Sequence, residues 1–457
     1  MVEILEKINR FVWGIPALFL ILGVGVFLTF RTGFIQFRLF PKAIRSFFSS
    51  LSCRRHGTGE VSSFRALCTA LAATVGTGNL AGVAGAIALG GPGSIFWMWI
   101  SAFLGMVTKF TEAVLAVRYR TNSVHGEYIG GPMYMIRFGM KKRWNWLAYV
   151  YSFFGIVAAF GVGNGTQINT AIAAINSAIT AYGGKQTQIG NLIFGLAFAI
   201  LIGMILLGGS KRIGRIAESI VPFASVIYIL LCIGVLIARF HAIPTALNSI
   251  IKGAFQPEAV TGGMIGTLMQ ALHVGVSRGV FTNEAGMGTA GIAHSTADVS
   301  HPVEQGLLGI VEVFIDTIVI CTMTALVILC SGIPIPYNND TGATMTALAF
   351  SSVYGKWVNV FLAVAITCFA IATVLGWGLY GIRCMQFVFG NRAWLPFVYS
   401  QIVTTFISAV LNTNMVWLMA EIVNGLMAIP NLIAIAYLSP ELMRQLQDYK
   451  RFCALKA

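Results

Sequence analysis

Apolar runs of about 20 residues, each long enough to cross a hydrocarbon layer roughly 30 Å thick, recur along the whole of this 457-residue chain. No other feature narrows the fold as far. Backbone in hydrocarbon must satisfy its own polar groups, so runs of this length are read as helices. The expected fold class is therefore an all-α polytopic membrane protein, one domain over 1–457, without signal-peptide or single-anchor character. Composition agrees: 57% of residues are hydrophobic and 10% charged, where a soluble protein has roughly 45–50% and 25%. The eight cysteines lie mostly inside apolar runs, form no CxxC pair, and read as small apolar fillers.

Apolar windows between charge clusters give eleven spans, near 11–30, 64–89, 94–117, 146–178, 189–208, 217–238, 263–291, 306–330, 357–379, 395–411 and 415–437. The fourth and seventh are long and carry glycines, which marks them as irregular. The net charge of +14 sits in the connections between spans, not on the face of a soluble domain as a nucleic-acid partner would require. Counted on alternate sides, 22 Lys and Arg residues fall on one side and six on the other, with Lys109 and Arg278 inside spans. The positive-inside rule then predicts the N-terminus outside and the C-terminus in the cytoplasm, in a prokaryotic inner (plasma) membrane.

At a constant offset of 204 residues, Asn79-Leu80-Ala81-Gly82 aligns with Asn283-Glu284-Ala285-Gly286. At the same offset Leu104-Gly105-Met106-Val107, with Phe110 and Glu112 following, aligns with Leu308-Gly309-Ile310-Val311, with Phe314 and Asp316 following. Span two is thereby paired with span seven and span three with span eight, five apart, so matched spans run in opposite directions. This predicts a 5+5 inverted repeat, about 62–238 and 263–437, after one extra helix at 11–30. Ligands of such repeats bind near the midplane, on helices broken at corresponding places in the two halves. ATVGTGN, 73–79, and GVSRGVFTNEAG, 275–286, are such a pair.

Gly76 and Gly78 each weaken a helix by about 1 kcal/mol relative to Ala. Unwound backbone at this depth is tolerable only where it is buried in protein or lines a cavity. Carbonyls of the half-helix ending near Val75, with the Thr77 hydroxyl and the Asn79 amide oxygen, are hard oxygen ligands that suit sodium better than a transition metal. The amides that open the next half-helix suit a substrate carboxylate. The alternative is packing alone, because Gly78 and Gly82 have the spacing of a small-xxx-small contact.

The stretch 59–120, and within it GGPGSIFWMWISAFLG at 90–105, resembles the signature of the alanine or glycine:cation symporter family, the sodium:alanine symporters, departing from the usual pattern at Ser94. GEYIGGPMYMI from 126 and FTNEAGMGTAGIAH from 281 are also family-like, and the likeness covers essentially the whole chain. The resemblance implies a leucine-transporter-type fold that moves sodium with a small neutral amino acid such as alanine, glycine, serine or glutamine. It implies no cofactor beyond sodium as the coupling ion. The implied substrate contacts are Gly76, Thr77, Gly78 and Asn79 for the carboxylate, Gln167, Thr373 and Trp377 around the pocket, and Gly275 at the head of the second stretch. The implied sodium ligands are the carbonyls of Ala72 and Val75 and the hydroxyl of Thr367. Asn164 stands where relatives can carry an aromatic; it either makes the wall polar enough for a hydrogen-bonding side chain or caps a kink among Gly161, Gly163 and Gly165. Thr373 and Trp377, four apart, share a helix face on which an indole limits the pocket to small side chains.

A charge at the centre of a span costs about 2.5 kcal/mol or more, so Lys109, Glu112, Glu218, Arg278, Glu284, Glu312 and Asp316 are expected to be paired or to line water. Lys109 and Glu112 are spaced i, i+3 for a pair, Glu312 and Asp316 share a face suited to a proton or cation, and Arg278, Glu284 and Asp316 are candidate gate or site charges. His294, Asp298 and His301 have helical metal-ligand spacing without a convincing fourth ligand, so no metal beyond sodium is expected. A proton-coupled symporter, with Glu284 or Asp316 as carrier, is the alternative function, and a channel a distant one. No HExxH or GxxxxGK[ST] occurs, which argues against an intramembrane metalloprotease and a primary pump.

Overall fold

In the computed structural model, which describes residues 2–52, 61–123, 126–263, 267–339, 342–411 and 413–456, the described part of each of the eleven apolar runs is mostly helical. Seven helices are long and apolar enough to cross a membrane: Gly93–Arg118, Lys142–Ala181, Gln188–Leu206, Gly209–Ala238, Pro302–Cys330, Val358–Phe389 and Val416–Tyr437. Ser63–Thr74 and Thr77–Gly90 make an eighth as a pair bent by 56°. Spans one, seven and ten are shorter helices, Ile15–Thr32, Leu268–Asn283 and Trp394–Ser408. The protein is a multi-pass membrane protein.

Local sequence explains several span starts. Ser62, Thr187 and Thr267 each accept a backbone N–H three residues on, and a cap of this kind contributes about 1 kcal/mol. His301 accepts from the Val303 N–H ahead of Pro302, which needs no donor at the first helical position.

Several expectations change here. The connections are not plain loops: Phe40–Ser52, Ile243–Phe255, Ala343–Tyr354 and Ser439–Lys456 are helices. Phe40–Ser52 shows why, since Phe40, Ile44 and Phe47 recur at helical spacing and pack on the core while Lys42 and Arg45 stay exposed. Span eight carries a π-helical segment, Phe314–Cys321, that no sequence signal indicated. Span seven is helical through Asn283 and breaks at 284–288, at the end of the 275–286 stretch rather than across it. Span four has its irregularity where its glycines lie, as a π-helical segment at Gly161–Gly165.

Span three, Gly93–Arg118, runs through the middle of the bundle, with spans seven and eight packed along it. Close approach is bought with glycine. A Cβ at Gly93 would lie 2.1 Å from the Gly253 carbonyl, and one at Gly105 would lie 3.0 Å from Ala285 Cβ. Gly93→Ala is therefore expected to destabilise the protein by about 1–3 kcal/mol, because backbone cannot move aside cheaply. Gly23→Ala meets nothing within 4 Å and should be neutral or stabilising by about 1 kcal/mol. Thermal melting of the detergent-solubilised variants, followed by size-exclusion chromatography, reads both; equal midpoints would contradict the tight approach at Gly93.

Candidate functional site

The helix of span two ends at Thr74 because its next hydrogen bonds are diverted. In a continuous helix the Gly76 N–H would bond the Ala72 carbonyl. Here it donates to Asn79 Oδ1 at 2.9 Å. The Thr77 N–H, which would reach Ala73, donates instead to Gln167 Oε1 at 3.3 Å, and the Asn79 N–H turns to the Gly76 carbonyl at 3.3 Å rather than to Val75. Ala72, Ala73 and Val75 thus lose their helical donors, and the chain is fully buried there. Asn79 completes the bracket by donating from Nδ2 to Asp316 Oδ1 at 2.6 Å, to the Asp316 carbonyl at 3.2 Å and to Cys321 Sγ at 3.3 Å.

The second break is built the same way with different groups. The Ala285 N–H donates to Asn283 Oδ1 at 2.9 Å, and the N–H groups of Gly286 and Gly288 both donate to Glu112 Oε1, at 2.9 and 3.1 Å. Asn431 of span eleven donates to the same Glu112 oxygen at 2.7 Å and to the Gly286 carbonyl at 2.8 Å. Asn283 donates to Thr317 Oγ1, which donates to Asp316 Oδ2. Gly286 and Gly288 have φ of +95° and +77°, values that glycine adopts at no steric cost. The first break packs on the helix end just before the second: a Cβ on Gly78 would lie 3.1 Å from Thr282 Cγ2.

Around the first break the pocket residues implied by resemblance converge. Gln167 Oε1 accepts from both the N–H and the hydroxyl of Thr77, the latter at 3.0 Å. A Cβ on Gly76 would fall 2.5 Å from Thr373 Oγ1 and 3.2 Å from Gln167 Oε1, so only glycine fits. Trp377 lies one turn beyond Thr373, fully buried, with its indole N–H donated to Glu284 Oε1 at 2.7 Å. Thr367, six residues before Thr373, is half-buried, and its hydroxyl has no hydrogen-bond partner among the described residues.

Two expected contacts lie elsewhere. Asn164 neither caps a kink nor faces the break; its amide donates to the carbonyl and side chain of Gln401 and to Thr405 Oγ1 at 3.0 Å, fastening the π-helical segment to span ten. Gly275 is a packing position in mid-helix, where a Cβ would sit 2.3 Å from the Ser94 carbonyl oxygen.

The buried charges also re-pair. Lys109 forms an ion pair with Glu312 at 3.2 Å rather than with Glu112, and the other Glu312 oxygen lies 2.8 Å from His294 Nε2. His294 Nδ1 lies 2.7 Å from Gln305 Nε2, so both ring nitrogens are engaged by protein side chains. No group of three His, Cys, Asp or Glu able to hold a metal is found among the described residues. Glu312 and Asp316 therefore have separate partners instead of one shared site. Arg278 pairs with Glu421 at 3.1 Å and lies over the Trp417 ring, while Asn9 and Trp13 of the N-terminal segment donate to the same glutamate residue. Glu218 pairs with Arg65 at the mouth of span two.

A family-wide sequence profile, described as the sodium:alanine symporter family, matches residues 1–456. The sodium/alanine symporter AgcS of Methanococcus maripaludis is 42% identical over 442 residues, 96% of this chain and 95% of the relative. The chain belongs to the sodium:alanine symporter family. Another relative, the probable sodium/glutamine symporter GlnT of Bacillus subtilis, is 39% identical over 460 residues, covering 99% and 92%. Among solved structures, MhsT in complex with L-phenylalanine superposes with a TM-score of 0.60 at 14% identity, covering 84% of this chain and 90% of that one. The fold is thus of the leucine-transporter type.

What the motifs of this symporter-family chain did not reveal is how the breaks are held. Glu112, Asn431 and Asn283 were not recognised as the groups that receive or replace helical hydrogen bonds. A signal existed: Asn79 with Asn283 and Glu112 with Asp316 are pairs at the 204 offset, and Glu112 serves the break of span seven while Asp316 serves that of span two. The two asparagines in the site region should behave differently when truncated. Asn79→Ala is expected to abolish uptake while the protein still inserts, because the Gly76 N–H and Asp316 Oδ1 both lose the Asn79 side chain. Asn164→Ala should leave the substrate KM within about twofold and lower stability by about 1–3 kcal/mol for the buried groups left unpaired. Uptake kinetics and melting curves separate the two, and wild-type transport by Asn79→Ala would remove the first break from the site.

Proposed function

We propose that this protein is a secondary active symporter that carries a small neutral amino acid into the cell with sodium. The observation that carries the proposal is the diversion of three N–H groups at 76–79, which frees the carbonyls of Ala72 and Val75 beside a cluster of Thr77, Gln167 and Thr373. Released carbonyls in a dry site are hard ligands for sodium. The substrate carboxylate is proposed to lie at the opened backbone of Gly76 to Gly78, displacing the Thr77–Gln167 bond, with its side chain toward Trp377.

With the N-terminus outside and the C-terminus in the cytoplasm, inward sodium movement supplies about 2.3 kcal/mol per charge per 100 mV. A relative described as a sodium/alanine symporter and another as a probable sodium/glutamine symporter support the substrate class. Alanine is favoured over glutamine here because Asn164, the polar residue that would admit a longer side chain, is held by Gln401 and Thr405 and turned to span ten.

Purified protein in liposomes should accumulate labelled alanine when an inward sodium gradient is imposed, and not when potassium replaces sodium. Unlabelled glycine and serine should compete better than leucine or glutamine. Uptake driven by a proton gradient without sodium would instead establish the proton-coupled mechanism, and flux without accumulation a channel.

A further inference from the structure

Glu284 occupies an unusual place. It ends the first helical half of span seven with φ of 55°, a left-handed conformation that is strained for a residue with a Cβ. Such strain persists where surrounding contacts over-determine it, which is common at functional positions. The contacts that hold Glu284 are explicit. One carboxylate oxygen accepts the Trp377 indole N–H at 2.7 Å, and the other accepts the hydroxyl of Thr289, the first residue of the second half-helix, at 2.6 Å. Both are short hydrogen bonds in a buried setting.

The indole has a single donor, so this bond sets where the ring lies. Trp377 is also pressed by the π-helical segment of span four, where a Cβ on Gly163 would stand only 2.2 Å from Trp377 Cβ. Tyr380 approaches the ring at 5.7 Å between centroids, nearly edge-on. Trp377 is thus held at Gly163 and at Glu284, and Glu284 in turn bridges the two halves of the broken helix.

We propose that Glu284 is a positioning residue that sets the size of amino-acid side chain this transporter accepts, by fixing the Trp377 indole as the wall of the pocket. The proposal rests on the pocket-wall role given to Trp377 above. It makes the wall of the pocket and the second helix break one mechanical unit, because the same carboxylate holds the indole and Thr289.

The test is the ratio of alanine to leucine uptake in proteoliposomes, measured for wild type and for Glu284→Ala, Glu284→Gln, Thr289→Val, Trp377→Phe and the double variant Glu284→Ala with Trp377→Phe. Glu284→Ala should lower the ratio by about tenfold or more, the scale at which small steric differences are discriminated in a pocket. Glu284→Gln keeps an acceptor oxygen for the indole and should retain the wild-type ratio within about twofold, which a proton carrier would not do while losing its charge. Thr289→Val leaves the carboxylate in place with one anchor missing and should fall between; it also tests the proposal if Glu284→Ala does not fold. In the Trp377→Phe background the added Glu284→Ala should change nothing further, since the two act through one contact. A relaxed ratio in Trp377→Phe with a wild-type ratio in Glu284→Ala, or in Thr289→Val should Glu284→Ala not fold, would overturn the proposal and leave the pocket reading standing. An unchanged ratio in Trp377→Phe would overturn both.

Discussion

A backbone amide or carbonyl without a partner in hydrocarbon costs several kcal/mol, and this protein unwinds two helices deep inside its bundle. Everything at its centre answers that cost. At the first break Asn79 and Gln167 take the N–H groups of Gly76 and Thr77, and Asp316 holds Asn79. At the second, Glu112 and Asn283 take those of Gly286, Gly288 and Ala285, and Asn431 steadies the result. Span three supplies one carboxyl, Glu112, to the break of span seven, and span eight supplies another, Asp316, to that of span two. The charges are costly to bury and are tolerated because several donors converge on each.

This arrangement ties the pocket to the breaks. Gln167 of span four is bonded to Thr77, Trp377 of span nine to Glu284, and Thr373 lies against Gly76. A ligand that replaced any one of these contacts would alter the backbone it reaches. Discrete hydrogen-bonded alternatives of this kind give a transporter distinct states instead of a continuum, because packed interiors are not continuously deformable. Separately, the Arg278–Glu421 pair joins span seven to span eleven under the N-terminal helix, away from the Glu112 and Asp316 contacts.

Much of this was legible before any coordinates. Hydrophobic run length located the spans, and glycine with buried polar side chains located the break at 76–79, because those features report directly on whether backbone can stay helical in lipid. The 204-residue offset singled out the pairs Asn79 with Asn283 and Glu112 with Asp316. Their partners were not legible. Lys109 with Glu112 looked like a local pair from i, i+3 spacing, yet Lys109 reaches Glu312 and Glu112 reaches the 286–288 backbone. Asn164 looked like pocket wall, but Gln401 and Thr405 of span ten claim it. Gly275 looked like half of a break and is a helix-packing contact.

The difference has a physical reason. Sequence by itself determined the properties that a residue expresses within a few neighbours along the chain: apolar length, and the weakness of a helix at Gly76 and Gly78. Only the tertiary structure decided which distant group receives each freed N–H or carboxyl, because those choices depend on the rotation and depth of helices hundreds of residues apart. The 237 residues separating Asn79 from Asp316 carry no local record of their contact, and that contact is what holds the break open where sodium and amino acid are proposed to meet.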